Sequence, residues 1–315
     1  MEIKEFKTGD EFAILDLFQL VFNKPMSSKY WYWRFQDNPA GKHMIKLMWN
    51  DNQLVGHYAV SPVFMIINNK KVLTALSMST MTHPDFGGRG VFKDLSLSLY
   101  DFLENKLDVK SIWGFPNANS HYGFIKNLKW NDVAVVHTLT MNVSKVPQVQ
   151  SEYISILDYF QSHHVVILKK ITDVFKISVD RNLAYLQWRY IDNPSNSYII
   201  FEYCKEDIIH FLVTKIYPSQ TKENKQDIFI MEYGVKDYSL LPEFIEHIKS
   251  HYKDTIENFT IWCNIHDPKH IHLEKLGFIL QGRQTFLSAR YANLEDELIT
   301  DYKNWYISLG DSDVY

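Results

Sequence analysis

A tryptophan-containing block that occurs twice constrains the fold of this chain more than any other feature. Residues 33–39 read WRFQDNP, and residues 188–194 read WRYIDNP, 155 positions later. Each copy is followed by two strand-like runs separated by a short polar turn, which predicts a β-hairpin after each block. A second echo, KNLKW at 126–130 and EKLGF at 274–278, keeps the same order along the chain. The sequence therefore predicts two copies of one fold that meet near residues 147–153.

The repeat predicts two domains, 1–148 and 149–315, and both are long enough to bury a core of their own. Hydrophobic residues make up 46% of the chain and charged residues 22%, which excludes a disordered or fibrous protein. Strand-like and helix-like patterns alternate in both copies, which predicts an α/β (α+β) fold. One run, Ala134–Val143, is predicted as a single strand that completes the first copy.

The charge balance and the cysteine content exclude several classes of protein. The chain has 33 Lys and Arg against 37 Asp and Glu and no long basic run, so we expect no nucleic acid partner. Cys204 and Cys263 are the two cysteines, and both lie in apolar, strand-like runs, which predicts buried thiols without a disulfide or zinc site. The amino-terminal segment lacks the apolar core of a signal peptide, and no run approaches the roughly 18 apolar residues of a membrane span. We therefore expect a cytoplasmic protein without a membrane partner, for which a homodimer is one open oligomeric state.

Two further segments resemble functional motifs only superficially. The HDPKHIH run at 266–272 is interrupted by a proline and has no HExxH-type carboxylate beside it, so we expect no metal site. The GDSD run at 310–313 contains a hydrolase-like GDS triplet but does not follow a predicted strand. We expect a solvated tail there, and a tail that folds back over an acceptor groove is the alternative.

The segment MTHPDFGGRGVF at 81–92 is the most informative about chemistry. It lies between a β-rich run and an amphipathic helix predicted over 90–105. A strand that feeds a glycine-rich turn and then a helix presents unpaired backbone N–H groups and the positive end of the helix dipole to one point, which suits a pyrophosphate. Glycines allow the unusual backbone angles and the close approach of a phosphate, and Arg89 adds a positive charge. No GKS or GKT follows and the spacing is not GxGxxG, so a kinase or dehydrogenase is disfavoured.

This segment resembles the motif of the GNAT (GCN5-related N-acetyltransferase) superfamily, roughly Pro-x-Tyr-Arg-Gly-Lys-Gly-x-Gly/Ala after the fourth strand, which cradles the pyrophosphate of acetyl-coenzyme A (acetyl-CoA). Here it reads PDFGGRGVF at 84–92, and the runs at 127–130 and 275–278 are similar to the family's KLGF element. The resemblance implies two tandem GNAT-like domains, each a mixed, mostly antiparallel central sheet flanked by helices. The first copy is then catalytic. The second copy is degenerate because it lacks the glycine turn.

The resemblance also implies acetyl-CoA as co-substrate, no metal, and a set of cofactor contacts. Gly87 stands where the family often has Arg or Gln, and Phe92 stands where it commonly has Gly or Ala, so Phe92 either crowds the phosphates or turns into the core. Asn117 and Asn119 either contact the pantetheine arm or cap the next helix. The implied cofactor-binding residues are Met81, Thr82, Gly87, Gly88, Arg89, Gly90, Val91, Phe92, Asn117 and Asn119.

The groups that would transfer protons are less clear from the sequence. Ile125 occupies the position where the family usually has its Tyr general acid, so Tyr122, about one helical turn earlier, is the nearest substitute. The resemblance places the donor to the thioester carbonyl at a backbone N–H around 80–82. Trp33 and Arg34 either anchor a structural helix or line the acceptor groove as the substrate site. The candidate bases, which the sequence does not rank, are His57, His83, Asp85 and His121.

We therefore expect an N-acetyltransferase that moves an acetyl group from acetyl-CoA to the primary amine of a small molecule. An amino sugar is one such acceptor, since the superfamily includes enzymes of surface-polysaccharide pathways. A tandem aminoacyl transferase of the FemABX type, which uses charged tRNA, is one alternative, and the retained Gly88 and Gly90 argue against it. A non-catalytic acyl-CoA-binding or scaffold protein is the other, and the departures at Ile125 and Gly87 favour it.

Overall fold

The computed structural model describes residues 1–219, 222–281, 285–291 and 296–312. The chain forms two compact units, of which unit 1 comprises Met1–Ala134 with Phe286–Thr300, and unit 2 comprises Val135–Thr285 with Asp301–Tyr315. This partition differs from the contiguous division at residue 148, because the chain enters unit 2 after Ala134 and returns to unit 1 after Thr285.

The first part of the chain contains a strand, two helices and then further strands and helices in turn. Its elements are β1 (Glu2–Glu5), α1 (Asp10–Phe22), α2 (Ser28–Phe35), β2 (Ile45–Asn50), β3 (Gln53–Ile67), β4 (Lys70–Thr82), α3 (Val91–Lys106), β5 (Ser111–Gly114), α4 (Ala118–Tyr122) and β6 (Asn131–Val136). A π-helical turn over Gly123–Asn127 continues α4.

The second part repeats this order. Its elements are β7 (Thr138–Asn142), β8 (Ile154–Leu157), α5 (Ser162–Thr172), β9 (Ile177–Val179), α6 (Leu183–Leu186), β10 (Ile199–Lys205), β11 (Ile208–Pro218), β12 (Gln226–Gly234), α7 (Leu241–Tyr252), β13 (Ile256–Trp262), α8 (Lys269–Leu276), β14 (Ile279–Leu280), β15 (Thr285–Tyr291) and α9 (Asp296–Thr300). The second tryptophan block lies on a π-helical turn, Gln187–Ile191, that continues α6.

Each unit is built around one mixed sheet. The strand order in unit 1 is β1-β2-β3-β4-β5-β15-β6, and the order in unit 2 is β14-β7-β13-β12-β11-β10-β8. Among the described strand pairs along these two orders, only β4–β5 and β12–β13 are parallel, and the others are antiparallel. The predicted α/β (α+β) class with mixed, mostly antiparallel sheets is confirmed.

Helices cover both faces of the sheet in unit 1. Tyr58 and Val60 of β3 pack in the cluster that contains Val91, Leu95 and Leu99 of α3. Ala59, which lies between them, packs in the cluster formed by α1 and α2. This alternation follows from the two-residue period of a strand, which sends successive side chains to opposite faces.

Two local predictions were wrong. Ala134–Val143 is not one strand, because the chain is interrupted at His137 and its halves, β6 and β7, belong to different sheets. A continuous run of strand-forming residues does not specify its partner strands, so this change of sheet was not predictable from the residues of the run. Cys263 is a buried thiol as predicted, but Cys204 is exposed because it lies near the end of β10, beside the turn to β11. In the part of the chain that the structure describes, no helix combines the length and the apolar character needed to cross a membrane.

Candidate active site

The chain leaves β4 through a turn that the side chain of His83 stabilises. A 3₁₀ turn over Pro84–Phe86 follows the strand, and Nδ1 of His83 accepts a hydrogen bond from the backbone N–H of Asp85 at 3.2 Å. Nε2 of the same ring lies 3.1 Å from the side-chain amide nitrogen of Gln53. Nδ1 therefore has a hydrogen-bond partner within the turn, and a catalytic role for His83 stays a prediction.

The glycines of the turn differ in what they contribute. Gly88 and Gly90 have φ values of +73° and +82°, in the left-handed region that favours glycine. A Cβ added at Gly88 would meet no atom within 4 Å, and one added at Gly90 would meet only Oδ2 of Asp94, at 3.7 Å. Gly87 has φ −59°, which any residue adopts. The surface above the backbone of Gly88 and Gly90 is therefore open. A Cβ at either position would project into the space that a bound group would occupy.

The amino-terminal end of α3 begins directly after these glycines. Gly90 is its N-cap residue and supplies no side-chain hydrogen bond to the helix. The first N–H groups of any α-helix have no partner within the helix, and they carry the positive end of its dipole. The open surface over Gly88 and Gly90 thus adjoins uncapped backbone donors, which is the geometry that binds phosphate groups.

Charged side chains surround this surface. Arg89 and Lys93 are exposed, and the guanidinium carbon of Arg89 lies 4.9 Å from the centroid of the Phe86 ring. Asp85 and Asp94 are also exposed. An anionic group can therefore reach the cations from solvent, although the neighbouring carboxylates reduce the net attraction.

A glycine in β3 fixes the position of α3 against the sheet. A Cβ at Gly56 would lie 2.4 Å from Cγ1 of Val91 and 2.8 Å from Cδ1 of Leu95. Only glycine therefore allows the first turn of α3 to approach the sheet this closely. The same side of the helix carries buried Val91, so the backbone of this predicted site residue is held by its own packing.

Phe92 turns into the core. Its ring makes edge contacts with Tyr58, at a centroid distance of 6.2 Å, and with Phe124, at 5.6 Å. It packs partly buried against the hydrophobic cluster of α3, as does Ile125. Of the two alternatives for Phe92, the structure favours packing over crowding of the phosphates.

β4 contains an irregularity just before the turn. His57 pairs with Met81, but Ala59 pairs with Met78, so the register shifts and two residues of β4, Ser79 and Thr80, lie opposite Tyr58 alone. One of them, Ser79, has φ +49°. The side chain of Met81 is buried in the cluster under α1 and α2, so any contact of Met81 with a cofactor is made by its backbone.

The bulge is hydrogen-bonded to His57, another of the candidate bases. His57 lies in β3 with its side chain fully buried, and its Nδ1 atom lies 2.7 Å from the carbonyl oxygen of Ser79. Its Nε2 atom has no hydrogen-bond partner among the described residues. Burial lowers the pKa of His57 to about 4, so the imidazole is neutral near pH 7.

β4 and β5 separate beyond their short shared ladder. The described parallel pairing joins only Ala75 with Ile112 and Leu76 with Trp113, although β4 continues to Thr82. A Cβ at Gly114, the last residue of β5, would lie 3.4 Å from the backbone of Ser77. The pairing thus ends just before the bulge. Backbone groups of β4 beyond it, including those of Thr82 on the β5 side, are not used by this ladder.

The segment after β5 carries a His–Asp pair. Asn117 caps α4, and its side-chain oxygen accepts hydrogen bonds from the N–H groups of Asn119 and Ser120 at 3.0 and 3.1 Å. Nε2 of His121 lies 2.6 Å from Oδ1 of Asp132. Of the two alternatives for Asn117, capping is confirmed. A carboxylate at Nε2 orients the ring and leaves Nδ1 as the proton acceptor.

The ring of His121 is held on a second side as well. It stacks on Phe286 at a centroid distance of 4.0 Å and an angle of 17°. Tyr122, the next residue, is 68% exposed. The sequence suggested both as proton-transfer groups but gave no sign of Asp132, because this partner lies beyond the turn that follows α4.

The predicted substrate residues are buried in α2. Trp33 and Arg34 are each 4% exposed, and the guanidinium carbon of Arg34 lies 4.6 Å from the Trp33 ring centroid. Nη2 of Arg34 lies 3.4 Å from the hydroxyl of Tyr30. This stacked arrangement is compatible with both alternatives, so contact with an acceptor stays a prediction.

Unit 2 has a different junction at the corresponding place. β12 ends at Gly234, where an added Cβ would lie 2.2 Å from the ring of Phe211, so this glycine is covered. Asp237 caps the next turn by accepting a hydrogen bond from the N–H of Ser239 at 3.0 Å. The open surface above left-handed glycines that characterises unit 1 does not occur at this junction.

The expectation of a solvated tail was wrong for residues 310–312, and Asp313 lies outside the described residues. Asp311 is buried and accepts hydrogen bonds from Nη2 of Arg181 at 2.8 Å. Nε of Arg189, in the second tryptophan block, donates to the carbonyl of Gly310 at 2.9 Å. Buried charges require such partners, and the sequence did not show that two arginines supply them.

Two histidines and a carboxylate converge in unit 2. Nε2 of His163 and Nε2 of His164 each lie 2.8 Å from Oε2 of Glu202. Nδ1 of His164 accepts a hydrogen bond from the backbone N–H of Gln161 at 2.9 Å, which leaves the proton of the neutral ring on Nε2. That proton is directed to Glu202, so the arrangement forms a hydrogen-bonded triad in which His164 has no lone pair for a metal ion.

Comparison with known proteins agrees with this geometry. Residues 2–131 match the family model of the acetyltransferase (GNAT) domain. No curated protein matches the sequence. The matched range contains the glycine turn, the bulge and α4, which are the parts described above.

Solved structures share the fold of nearly the whole chain. A GCN5-related N-acetyltransferase from Anabaena variabilis has a TM-score of 0.69 at 10% identity, over 92% of this chain and 72% of that one. A protein of unknown function from Enterococcus faecalis, described as a probable N-acyltransferase, has a TM-score of 0.68 at 12% identity, over 92% and 72%. Saccharomyces cerevisiae N-myristoyltransferase with bound myristoyl-CoA has a TM-score of 0.62 at 10% identity, over 91% and 82%. At these identities the likeness is one of fold.

Proposed function

We propose that this chain, whose residues 2–131 match the acetyltransferase (GNAT) domain, is an acyltransferase that moves an acetyl group from acetyl-CoA to the primary amine of a small molecule. The observation that carries the proposal is the open surface over Gly88 and Gly90 beside the uncapped first turn of α3. Backbone donors at such a surface fit a pyrophosphate, and Arg89 adds a cation at its edge.

The proposed chemistry needs a base for the ammonium form of the acceptor. Acetyl-CoA supplies an activated thioester to the reaction. His121 has the geometry of a base, because Asp132 holds its Nε2 atom and leaves Nδ1 as the acceptor of a proton. Tyr122 is the proposed proton donor to the leaving thiolate, since its exposed side chain follows His121 on α4.

The proposed acceptor site includes Trp33 and Arg34. A guanidinium recognises carboxylate, phosphate or carbonyl oxygens through several donors in one plane, so Arg34 favours an acceptor that carries such groups beside its amine. Amino sugars and their phosphates belong to this class. They are the acceptors that we propose to examine first.

One observation supports the alternative of a non-catalytic acyl-CoA-binding protein. Ile125 is packed against the core at the position of the family's usual acid, which supports a protein that binds acyl-CoA without turning it over. Turnover distinguishes the two proposals. The FemABX-type alternative has no such support, since an open glycine cradle suits a pyrophosphate and not a charged tRNA.

The test is the release of free thiol from acetyl-CoA in the presence of glucosamine, glucosamine 6-phosphate and other primary amines. We expect amine-dependent thiol release by the wild type, and a kcat lowered by about 10²-fold in His121→Asn, with little change in the KM for acetyl-CoA. His251→Asn, which replaces an exposed histidine of unit 2, is the matched control. Tight binding of acetyl-CoA without thiol release for any amine would favour the non-catalytic alternative.

A further inference from the structure

We propose that His57 is a positioning residue that directs the backbone N–H of Thr80 toward the carbonyl oxygen of the thioester. The inference rests on the proposed function, because it assigns a role within that reaction. It replaces the role of base that the sequence suggested for His57.

The first step of the argument is the hydrogen bond at the bulge. A carbonyl oxygen only accepts, so the 2.7 Å contact between Nδ1 of His57 and the oxygen of Ser79 places the proton on Nδ1. The carbonyl of Ser79 and the N–H of Thr80 belong to one peptide unit. No cis peptide bond occurs among the described residues, and in a trans unit the C=O and N–H point in opposite directions. By holding the carbonyl, His57 therefore directs the N–H of Thr80 away from itself.

The second step is that Thr80 lies outside the regular pairing of the sheet. Ser79 and Thr80 fall within the register shift and have no partner residue in the described pairing of β3 with β4. The described pairing of β4 with β5 stops at Leu76. Thr80 is partly exposed. Its N–H thus lies where a reacting carbonyl can approach, between the glycine turn and the opening of the two strands.

The third step is that the bulge needs support. Ser79 has φ +49°, a conformation that costs a non-glycine residue free energy and persists only where neighbouring groups hold it. His57 is fully buried, so its hydrogen bond is shielded from water. A preorganised donor is worth more in catalysis than one that must reorient during the reaction.

Unit 2 provides an internal comparison. The pairing of β11 with β12 also shifts register, directly after Val213. Val213 is the last residue of β11 that is paired before the shift, and its side chain has no hydrogen-bond donor.

The protonation state agrees with a positioning role. Because burial lowers the pKa of His57 to about 4, the imidazole does not take up the proton of an acceptor ammonium near neutral pH. A positioning residue needs only the neutral ring with its proton on Nδ1.

The test is isotope-edited infrared spectroscopy of acetyl-CoA labelled with ¹³C at the carbonyl and bound to the full chain. We expect the carbonyl stretch to lie at lower frequency on the wild type than in solution. His57→Leu should lose this shift while it keeps its affinity for acetyl-CoA, and its kcat should fall by up to about 10²-fold, the lower end of the cost of one oxyanion donor. His57→Asn should restore the shift, because its Nδ2 donor occupies the place of the imidazole Nδ1.

The outcomes separate this inference from the proposed function. Binding with an equal shift in wild type and His57→Leu would overturn the positioning role and leave the proposed function intact. Absence of binding by the folded wild type would overturn both. If His57→Leu fails to fold, the wild type is compared instead with His57→Asn and His57→Gln. The inference is contradicted if the shift of the carbonyl stretch does not depend on a donor at the position of the imidazole Nδ1.

Discussion

The imidazole of His57 makes folding depend on pH. In the unfolded chain its pKa is near the ordinary value of 6.5, whereas burial lowers it to about 4 in the folded chain. Between these values the unfolded state binds more protons than the folded state, so the free energy of unfolding rises with pH. The stability that the neutral imidazole contributes is fully present above the pKa of the unfolded chain. It is lost as the pH falls toward the pKa of the folded chain.

We therefore predict a pH-dependent difference between the wild type and His57→Leu. The wild type should lose about 3 kcal/mol of stability at this site between pH 6.5 and 4, a window set by its two pKa values. The variant should lack that part of the slope. Urea unfolding at several pH values measures it, and parallel slopes in the two proteins would show that folding does not lower the pKa of His57.

For single residues, the sequence predicted backbone conformation better than hydrogen-bond partners. Gly88 and Gly90 were correctly expected to take up unusual backbone angles, because only glycine does so without strain. The bond from His57 to Ser79 was not predictable, since it depends on a bulge that appears only when β3 and β4 pair. The same holds for His121 and Asp132, which become neighbours through the fold of unit 1.

Among the elements, the contact between β3 and α3 determines where the helix terminus lies. The amphipathic pattern predicted α3 to within one residue at either end, but it did not indicate how closely the helix approaches the sheet. Gly56 decides that distance, because Val91 and Leu95 fill the space that a side chain would need. The position of the proposed pyrophosphate site thus depends on a residue in a different element.

Gly56→Ala should therefore lower both stability and affinity for coenzyme A. Overpacking a tight interface costs about 1–3 kcal/mol, and displacement of α3 moves its N–H groups away from the turn. The measurement is urea unfolding combined with coenzyme A titration. In a double-mutant cycle, Gly56→Ala with Val91→Ala should cost less than the sum of the single changes, and strict additivity would contradict the close contact.

For the molecule as a whole, the path of the chain matters as much as the repeat. The sequence predicted two copies and their order of elements, because motif and periodicity are local properties. It did not predict that unit 1 takes a strand from residues 285–291, since pairing partners are set by long-range contacts. β15 lies between β5 and β6 in the sheet of unit 1, with Ser288 opposite Gly114.

A fragment of residues 1–148 should consequently fail to fold cooperatively. Without β15, the backbone groups of β5 and β6 on that side lose their partners, and exposed strand edges promote aggregation. A fusion of residues 1–136 with 285–300 through a Gly/Ser linker should restore cooperative unfolding. Circular dichroism during urea titration tests this, and a cooperative transition of the 1–148 fragment would instead support the contiguous division.

The central claim is that the glycine turn of unit 1 binds the pyrophosphate of acetyl-CoA, and calorimetric titration tests it most directly. Wild type, Gly90→Glu and Gly9→Glu are titrated with acetyl-CoA, coenzyme A and ATP. Gly9 is the matched control, because it is also a left-handed N-cap residue, at α1, with open space around it. We predict tight binding of both coenzyme A species but not ATP by the wild type and Gly9→Glu, and loss of binding in Gly90→Glu. Equal affinity in Gly90→Glu, or no binding by folded wild type, would contradict the account.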